Sequence, residues 1–170
     1  GVAYSVDISR EKRREEILNI ITSQEYDLIA LIHLKDETVE AYFLGETLPA
    51  HYRSLLPAPG AVYDLHAFRR RAVEQSIHPA DREAYSLYSD PDHYRPLMDQ
   101  GQAFQFTLRE CPPEYGGAVR YRRFQHFYLG GDRDTILVVE SDVTEASLRQ
   151  LKELEKAKAE TDRIRDIMDS

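Results

Sequence analysis

The spacing of apolar positions changes several times along the chain, and each change marks an element. Residues 10–23 begin with dense charge and end on Ile17, Leu18, Ile20 and Ile21, which predicts a helix buried in its later turns. Residues 26–34 (YDLIALIHL) and 38–44 (TVEAYFL) are short apolar runs separated by Lys35-Asp36-Glu37, a pattern that predicts a hairpin. Pro49, Pro57 and Pro59 make residues 45–60 mostly loop, and helical spacing resumes over 61–75 through Val62, Leu65, Phe68 and Val73. Pro79 and Pro91 each open a further short helix, at a position where a missing N–H costs little.

From Gln102 the period becomes two. Phe104, Phe106 and Leu108 point one way, and Ala103, Gln105, Thr107 and Arg109 the other. The strand over 102–110 breaks at Cys111-Pro112-Pro113. A second strand over 118–129 ends at Gly130-Gly131-Asp132, and a third follows over 134–141, giving an antiparallel meander. Residues 142–170 contain neither Gly nor Pro and read as one long helix. Two strands, short helices, three strands and an exit helix make an α+β domain with about five antiparallel strands, because strands that come in runs do not build a parallel βαβ sheet.

Composition narrows the setting. The 170 residues carry 22 basic and 30 acidic side chains, a net charge of −8 that does not suit a phosphate-backbone binder. Arg69-Arg70-Arg71 is the local exception, and a solvated helix face accounts for it. No apolar run is long enough to span a bilayer and no signal-peptide pattern opens the chain, so no membrane contact is expected in this fragment. One cysteine, Cys111, can form neither an internal disulfide nor a Cys-rich zinc site, which fits a cytoplasmic setting.

The two ends resemble each other. Asp7-Ile8-Ser9-Arg10-Glu11 follows an apolar stretch and opens a charged helix, and Asp142-Val143-Thr144-Glu145-Ala146 does the same about 135 positions later, a domain-sized repeat rather than a solenoid unit. Asp followed by an aliphatic and a Ser or Thr suits a strand-to-helix junction, because a short oxygen-bearing side chain caps the first helical N–H groups. Asp142 with Glu145 also has the spacing of a capping box.

Taken in order, YDLIALIHL, Ile77-His78-Pro79-x-Asp81, FQFTLRE, a long second strand and TILVVESDVTE resemble a PAS sensor domain of a multidomain bacterial signalling protein, over about residues 20–145. The resemblance implies a five-stranded antiparallel sheet with short helices packed on one face, flanked by N-terminal and long C-terminal linker helices. Residues 1–23 would then be the end of a preceding repeat plus a linker helix, 24–142 the sensor domain and 143–170 a signalling helix. It also implies that Asp142, Val143, Thr144 and Glu145 couple the sheet to that helix. The output domain, whether histidine kinase of a two-component system or diguanylate cyclase, lies outside the sequence. The chain departs from the family at residues 111–117 (CPPEYGG), where many relatives carry Asp-Gly and a Trp; it has no Trp at all.

Other chemistry has weaker footing. His78 and Asp81 could form an acid–base pair, but Pro79 at a helix start with Asp81 in its first turn is a sufficient structural reading. His33, His51, His66, His93 and His126 show no zinc spacing, and a haem ligand from His66 is unsupported. Cys111 lies before two prolines rather than in the Asn-Cys-Arg context of flavin-adduct sensors, so that photochemistry is not indicated. The 11 tyrosines and six phenylalanines line a ligand cavity or fill the core. Arg109, Arg120, Arg122 and Arg123 would suit an anionic ligand if they faced inward, but alternation with Val119 and Tyr121 sends Arg120 and Arg122 to solvent.

In the exit helix Val143, Leu154, Ala157, Thr161, Ile164 and Met168 follow a three- and four-residue spacing interrupted by Ser147 and Gln150, the narrow seam of a coiled-coil linker that pairs in a homodimer. The expectation is a non-enzymatic sensory module that relays binding of a small molecule or a partner to its exit helix. A ligand-free dimerisation module and a small enzyme using His78 and Asp81 are the alternatives.

Overall fold

The computed structural model describes residues 2–21, 25–56 and 58–170, with side chains from residue 11 onward. Six strands form one antiparallel sheet: β1 (Leu28–His33), β2 (Thr38–Leu44), β3 (Val62–Asp64), β4 (Phe104–Glu110), β5 (Arg120–Leu129) and β6 (Thr135–Asp142), in the order β3-β2-β1-β6-β5-β4. The sixth strand is β3, whose three residues pair with Thr38 to Glu40 at the sheet edge and occupy the start of the segment expected to be helical. Asp64 then caps α3 (Leu65–Gln75) by accepting from the Ala67 N–H at 2.8 Å.

The remaining helices are α1 (Val2–Ile21), α2 (Ala50–Leu55), α4 (Arg82–Tyr88), α5 (Pro91–Asp99) and α6 (Thr144–Asp169). Pro79–Asp81 is one 3-10 turn leading into α4. The proline-rich stretch expected to be loop therefore holds α2, a helix too short for hydrophobic periodicity to reveal.

Both faces of the two central strands are covered, which explains why LIALI and ILVV are continuous apolar runs rather than alternating ones. Leu28, Ala30, Ile32, Ile136 and Val138 face the inner side, under α2, α3 and α5. Ile29, Leu31, Leu137 and Val139 face the outer side, where Ile17 and Ile21 of α1 pack on them. Burying each of these two isoleucines contributes about 1.5–3 kcal/mol, and the Gly130 N–H adds a hydrogen bond to Glu16 Oε2 at 3.0 Å. The late turns of α1 are thus part of the domain's packing, and this flanking helix covers the face opposite the short helices. Asp7-Ile8-Ser9 lies within α1 rather than at its start, because the helix begins at Val2.

The long exit helix is the opposite case. Thr144 is its only buried residue, everything from Leu148 to Ser170 is exposed, and Leu148, Leu151, Leu154, Ile164, Ile167 and Met168 stand out among the large apolar side chains in solvent. Among the described residues no helix is long and apolar enough to cross a membrane.

Candidate functional site

The inner face of the sheet is divided in two. Register sets this up: Phe106 pairs with Phe124, Phe104 with His126 and His126 with Val138, whereas Leu108 pairs with Arg122, Glu110 with Arg120 and Arg122 with Asp142. One end is aromatic and the other is charged.

At the charged end Arg122 is 1% exposed, contrary to the solvent-facing position expected of it. Its Nη1 and Nη2 donate to Asp27 at 3.0 and 2.6 Å, and its Nε donates to Glu140 Oε1 at 2.8 Å. Its guanidinium lies 4.5 Å from the ring centroid of Tyr52, which α2 delivers, and the Tyr52 hydroxyl donates to the buried Glu110. Burial opposes the Arg122 charge, but Glu140, Glu110 and Asp27 outweigh it and hold the guanidinium protonated. One cation thus serves three carboxylates. Glu110 receives none of the three Arg122 hydrogen bonds, and burial pushes its carboxyl up to about 8 against the pull of Arg122. Asp27 is fixed from behind by Gly45, whose N–H donates to the Asp27 carbonyl at 2.7 Å; a Cβ on Gly45 would lie 2.9 Å from that oxygen.

At the aromatic end a narrow, partly open cavity of about 40 Å³ lies between the sheet and helices α3 and α4. Phe68, Tyr85, Phe106, Phe124, His126 and Glu140 are among its walls. The space admits a few water-sized atoms. His126 is 5% exposed, its Nδ1 has no hydrogen-bond partner, and burial lowers its pKa to about 3, so the ring is neutral. An orphaned buried polar atom of this kind costs about 1–3 kcal/mol until something pairs with it. Outside the cavity is an open cleft of about 290 Å³ along α3 and α4, and Arg69, Tyr85 and Ser89 line both spaces.

Strand β6 runs from one end to the other and leads out of the domain. Ile136 and Val138 belong to the inner core, Glu140 touches both the cavity and Arg122, and Asp142 begins the junction. Asp142 Oδ1 accepts from the Thr144 N–H at 2.9 Å and the Thr144 hydroxyl at 2.5 Å, while its Oδ2 accepts from Arg120 Nε and Nη2 at 2.9 and 2.7 Å. The Tyr121 N–H donates to Thr144 Oγ1 at 2.9 Å, and the Val143 N–H to the Tyr121 carbonyl at 2.8 Å. Burial works against the Asp142 charge, but the bonds from Thr144 and Arg120 prevail and hold the carboxyl below its ordinary range. Five hydrogen bonds centred on Asp142 and Thr144 therefore tie the first turn of the exit helix to the sheet, three of them reaching β5, a sheet junction rather than a capping box. Glu145 is exposed in the first turn, beside an open cleft that Asp142, Val143 and Arg149 share.

The other candidate residues sort out on geometry. His78 Nδ1 accepts from the Ala80 N–H at 3.1 Å, and Asp81 accepts from the Arg109 N–H, Nε and Nη2 at 2.8, 3.0 and 2.7 Å. These bonds staple the 3-10 turn to β4, and Arg109 holds the Asp81 carboxyl below its ordinary range. Neither residue lines the cavity or the cleft of α3 and α4. His66 lines the outer cleft, and Arg120 belongs to the junction. Cys111 follows β4, where its N–H donates to the Ser76 carbonyl at 3.2 Å. Among the described residues no group of three or more His, Cys, Asp and Glu side chains is placed to hold a metal ion.

No protein-family model and no curated protein matches the chain. Three solved structures are similar in shape. A sensory box histidine kinase/response regulator from Burkholderia thailandensis is 13% identical, with a TM-score of 0.44, over 80% of this chain and 90% of that one. The N-terminal domain of a diguanylate cyclase with PAS/PAC sensor from Marinobacter aquaeolei is 13% identical, with a TM-score of 0.42, over 71% and 97%. A domain of a putative light and redox sensing histidine kinase from Haloarcula marismortui is 18% identical, with a TM-score of 0.40, over 76% and 99%. At these scores the likenesses decide neither ligand nor output, and the side chains carry the functional reading.

Proposed function

We propose that the chain is a PAS-type sensory module in which occupancy of the inner cavity is passed along β6 to the exit helix. The observation that supports this reading is the double position of Glu140, which walls the cavity, holds Arg122 and precedes Asp142 by two residues on one strand. A change in cavity volume moves the Glu140 side chain, Arg122 follows it, and the register partner of Arg122 is Asp142. Interdigitated packing transmits such shifts because a filled core has little slack. The exposed apolar side chains of α6 then pair with those of a second copy, and the helix pair carries the change to an output domain. A ligand-free dimerisation module would have no use for an orphaned histidine beside a cavity.

Replacing Asp142 by Ala and Thr144 by Val together removes the side-chain bonds of the junction at a cost of about 1–2 kcal/mol, the scale of a lost helix cap. The expected result is a folded chain whose full-length parent no longer answers its stimulus. A normal response from the full-length double variant would overturn the relay.

A further inference from the structure

The reading above leaves Arg69 and Arg70 unexplained, and the kind of ligand open. Arg69 spans the mouth between cleft and cavity: its Nε donates to Ser89 Oγ at 3.0 Å and its Nη2 to the Ser86 carbonyl at 2.6 Å, latching α3 to α4. Arg71 points elsewhere, donating to the Ser54 carbonyl at 3.0 Å, so the basic triplet is not one solvated patch. In the cleft Arg69 and Arg70 stand with His66, against the single acid Glu74. The inner wall combines the aromatic rings of Phe68, Tyr85, Phe106 and Phe124 with aliphatic side chains and includes His126, whose Nδ1 is unpartnered among the described residues.

From this order of surfaces, cationic mouth, aromatic throat and a floor where the unpartnered His126 stands with the Arg122-paired Glu140, we propose that the site takes a flat aromatic acid carrying a hydroxyl at its far end. Its carboxylate draws Arg69 away from the two neutral acceptors on α4, since a charge-assisted bond is about twice as strong as a neutral one. Releasing the latch joins the cleft to the cavity, which is too small for a ring while the latch is closed. The ring stacks among Tyr85, Phe106 and Phe124, and the hydroxyl meets His126 Nδ1; a hydroxyl both donates and accepts, so it suits either tautomer of the neutral imidazole. This assignment rests on the cavity being the sensory site, and it names the class of molecule sensed.

The test is a titration of the isotope-labelled 170-residue chain with 4-hydroxyphenylacetate, 4-hydroxyphenylacetamide and phenylacetate, reading the His126 ring and the Phe124 amide by NMR. The hydroxy acid is expected to give saturable shifts at both. The amide analogue, without the charge, and phenylacetate, without the hydroxyl, are each expected to bind about tenfold more weakly, one lost charged or buried polar contact apiece. Arg70→Gln, which leaves the latch intact, lowers affinity for the acid and leaves that for the amide unchanged, and Arg69→Gln, which opens the latch for both, lowers the ratio of acid to amide affinity. Equal affinity for acid and amide, shifts confined to the outer surfaces of α3 and α4, or no saturable shift with the hydroxy acid would each overturn the assignment. Equal, saturable shifts at His126 from acid and amide would remove the anionic head while keeping the cavity as the sensory site. If the acid binds as described and the Thr144 amide does not move, the assignment stands and the relay fails.

Discussion

Replacing Arg122 with Met is expected to cost about 3–5 kcal/mol, because it leaves buried carboxylates without their cation. That is a large share of the roughly 5–15 kcal/mol by which a domain is stable. The loss comes from uncompensated charge more than from the bonds themselves, since Asp27 and Glu140, the carboxylates that Arg122 bonds, remain 6% and 7% exposed. Urea unfolding should show a large fall in midpoint, and adding Glu110→Gln and Glu140→Gln to the same variant should recover part of it. Arg122→Lys keeps the charge but cannot reproduce the fork that spans Asp27 and Glu140, so it should fall between. A near-native midpoint for Arg122→Met would mean that the cluster does not hold the charged end together.

Glu110 contributes stability that is lost as pH rises from about 5 to 8, against the opposite contribution of His126, which burial keeps neutral below its ordinary 6.5. In the unfolded chain this carboxyl loses its proton near its ordinary 4.5; in the folded chain, burial holds the proton until about 8. Between those values the native state binds more protons than the unfolded one, so raising the pH favours unfolding by about 1 kcal/mol per pH unit. Glu110→Gln keeps an acceptor for the Tyr52 hydroxyl and removes the titration. The variant should match the native chain within about 1 kcal/mol at pH 5 and exceed it by roughly 3 kcal/mol at pH 8. Asp27, Glu140, Asp142 and Arg122 face the same carboxyl and are common to both proteins, so the difference between them isolates Glu110. Identical pH profiles for the two would contradict the burial of an uncharged glutamic acid.

The division of the inner face was only half legible in the sequence. Period-two spacing placed Phe104, Phe106 and Leu108 on one side, and the next position in that register is Glu110; a carboxylate on an apolar face was a signal of a buried partner. Arg122 escaped because Tyr121 and Phe127 give β5 aromatic residues on its other face too, so alternation alone does not say which side is inward. Phe124 and His126, at the same parity as Arg122, do say so. Asp142-Val143-Thr144 was readable as a junction because its chemistry is local, one carboxylate and a hydroxyl two residues on. The cluster of Asp27, Tyr52, Glu110, Arg122 and Glu140 was not, since it joins three strands, one helix and the residue before β1, far apart in the chain, and its tyrosine comes from a six-residue helix set among prolines. β3 was hidden for a similar reason, since it depends on a partner strand rather than on its own pattern, whereas the burial of the later turns of α1 was legible in Ile17 and Ile21.

Filling the cavity permanently, without any ligand, tests the relay most directly. Ala30 is 4% exposed on the cavity wall, and Ala30→Leu places its added carbons where an occupant would sit. In amide NMR spectra of the full chain this substitution is expected to shift Val138, Tyr121 and Thr144 and the first turns of α6. With Asp142→Ala and Thr144→Val added, the shift at Val138 should persist and that in α6 should disappear. An exit helix that does not move when the cavity is filled, or that moves equally with the junction removed, would contradict the account.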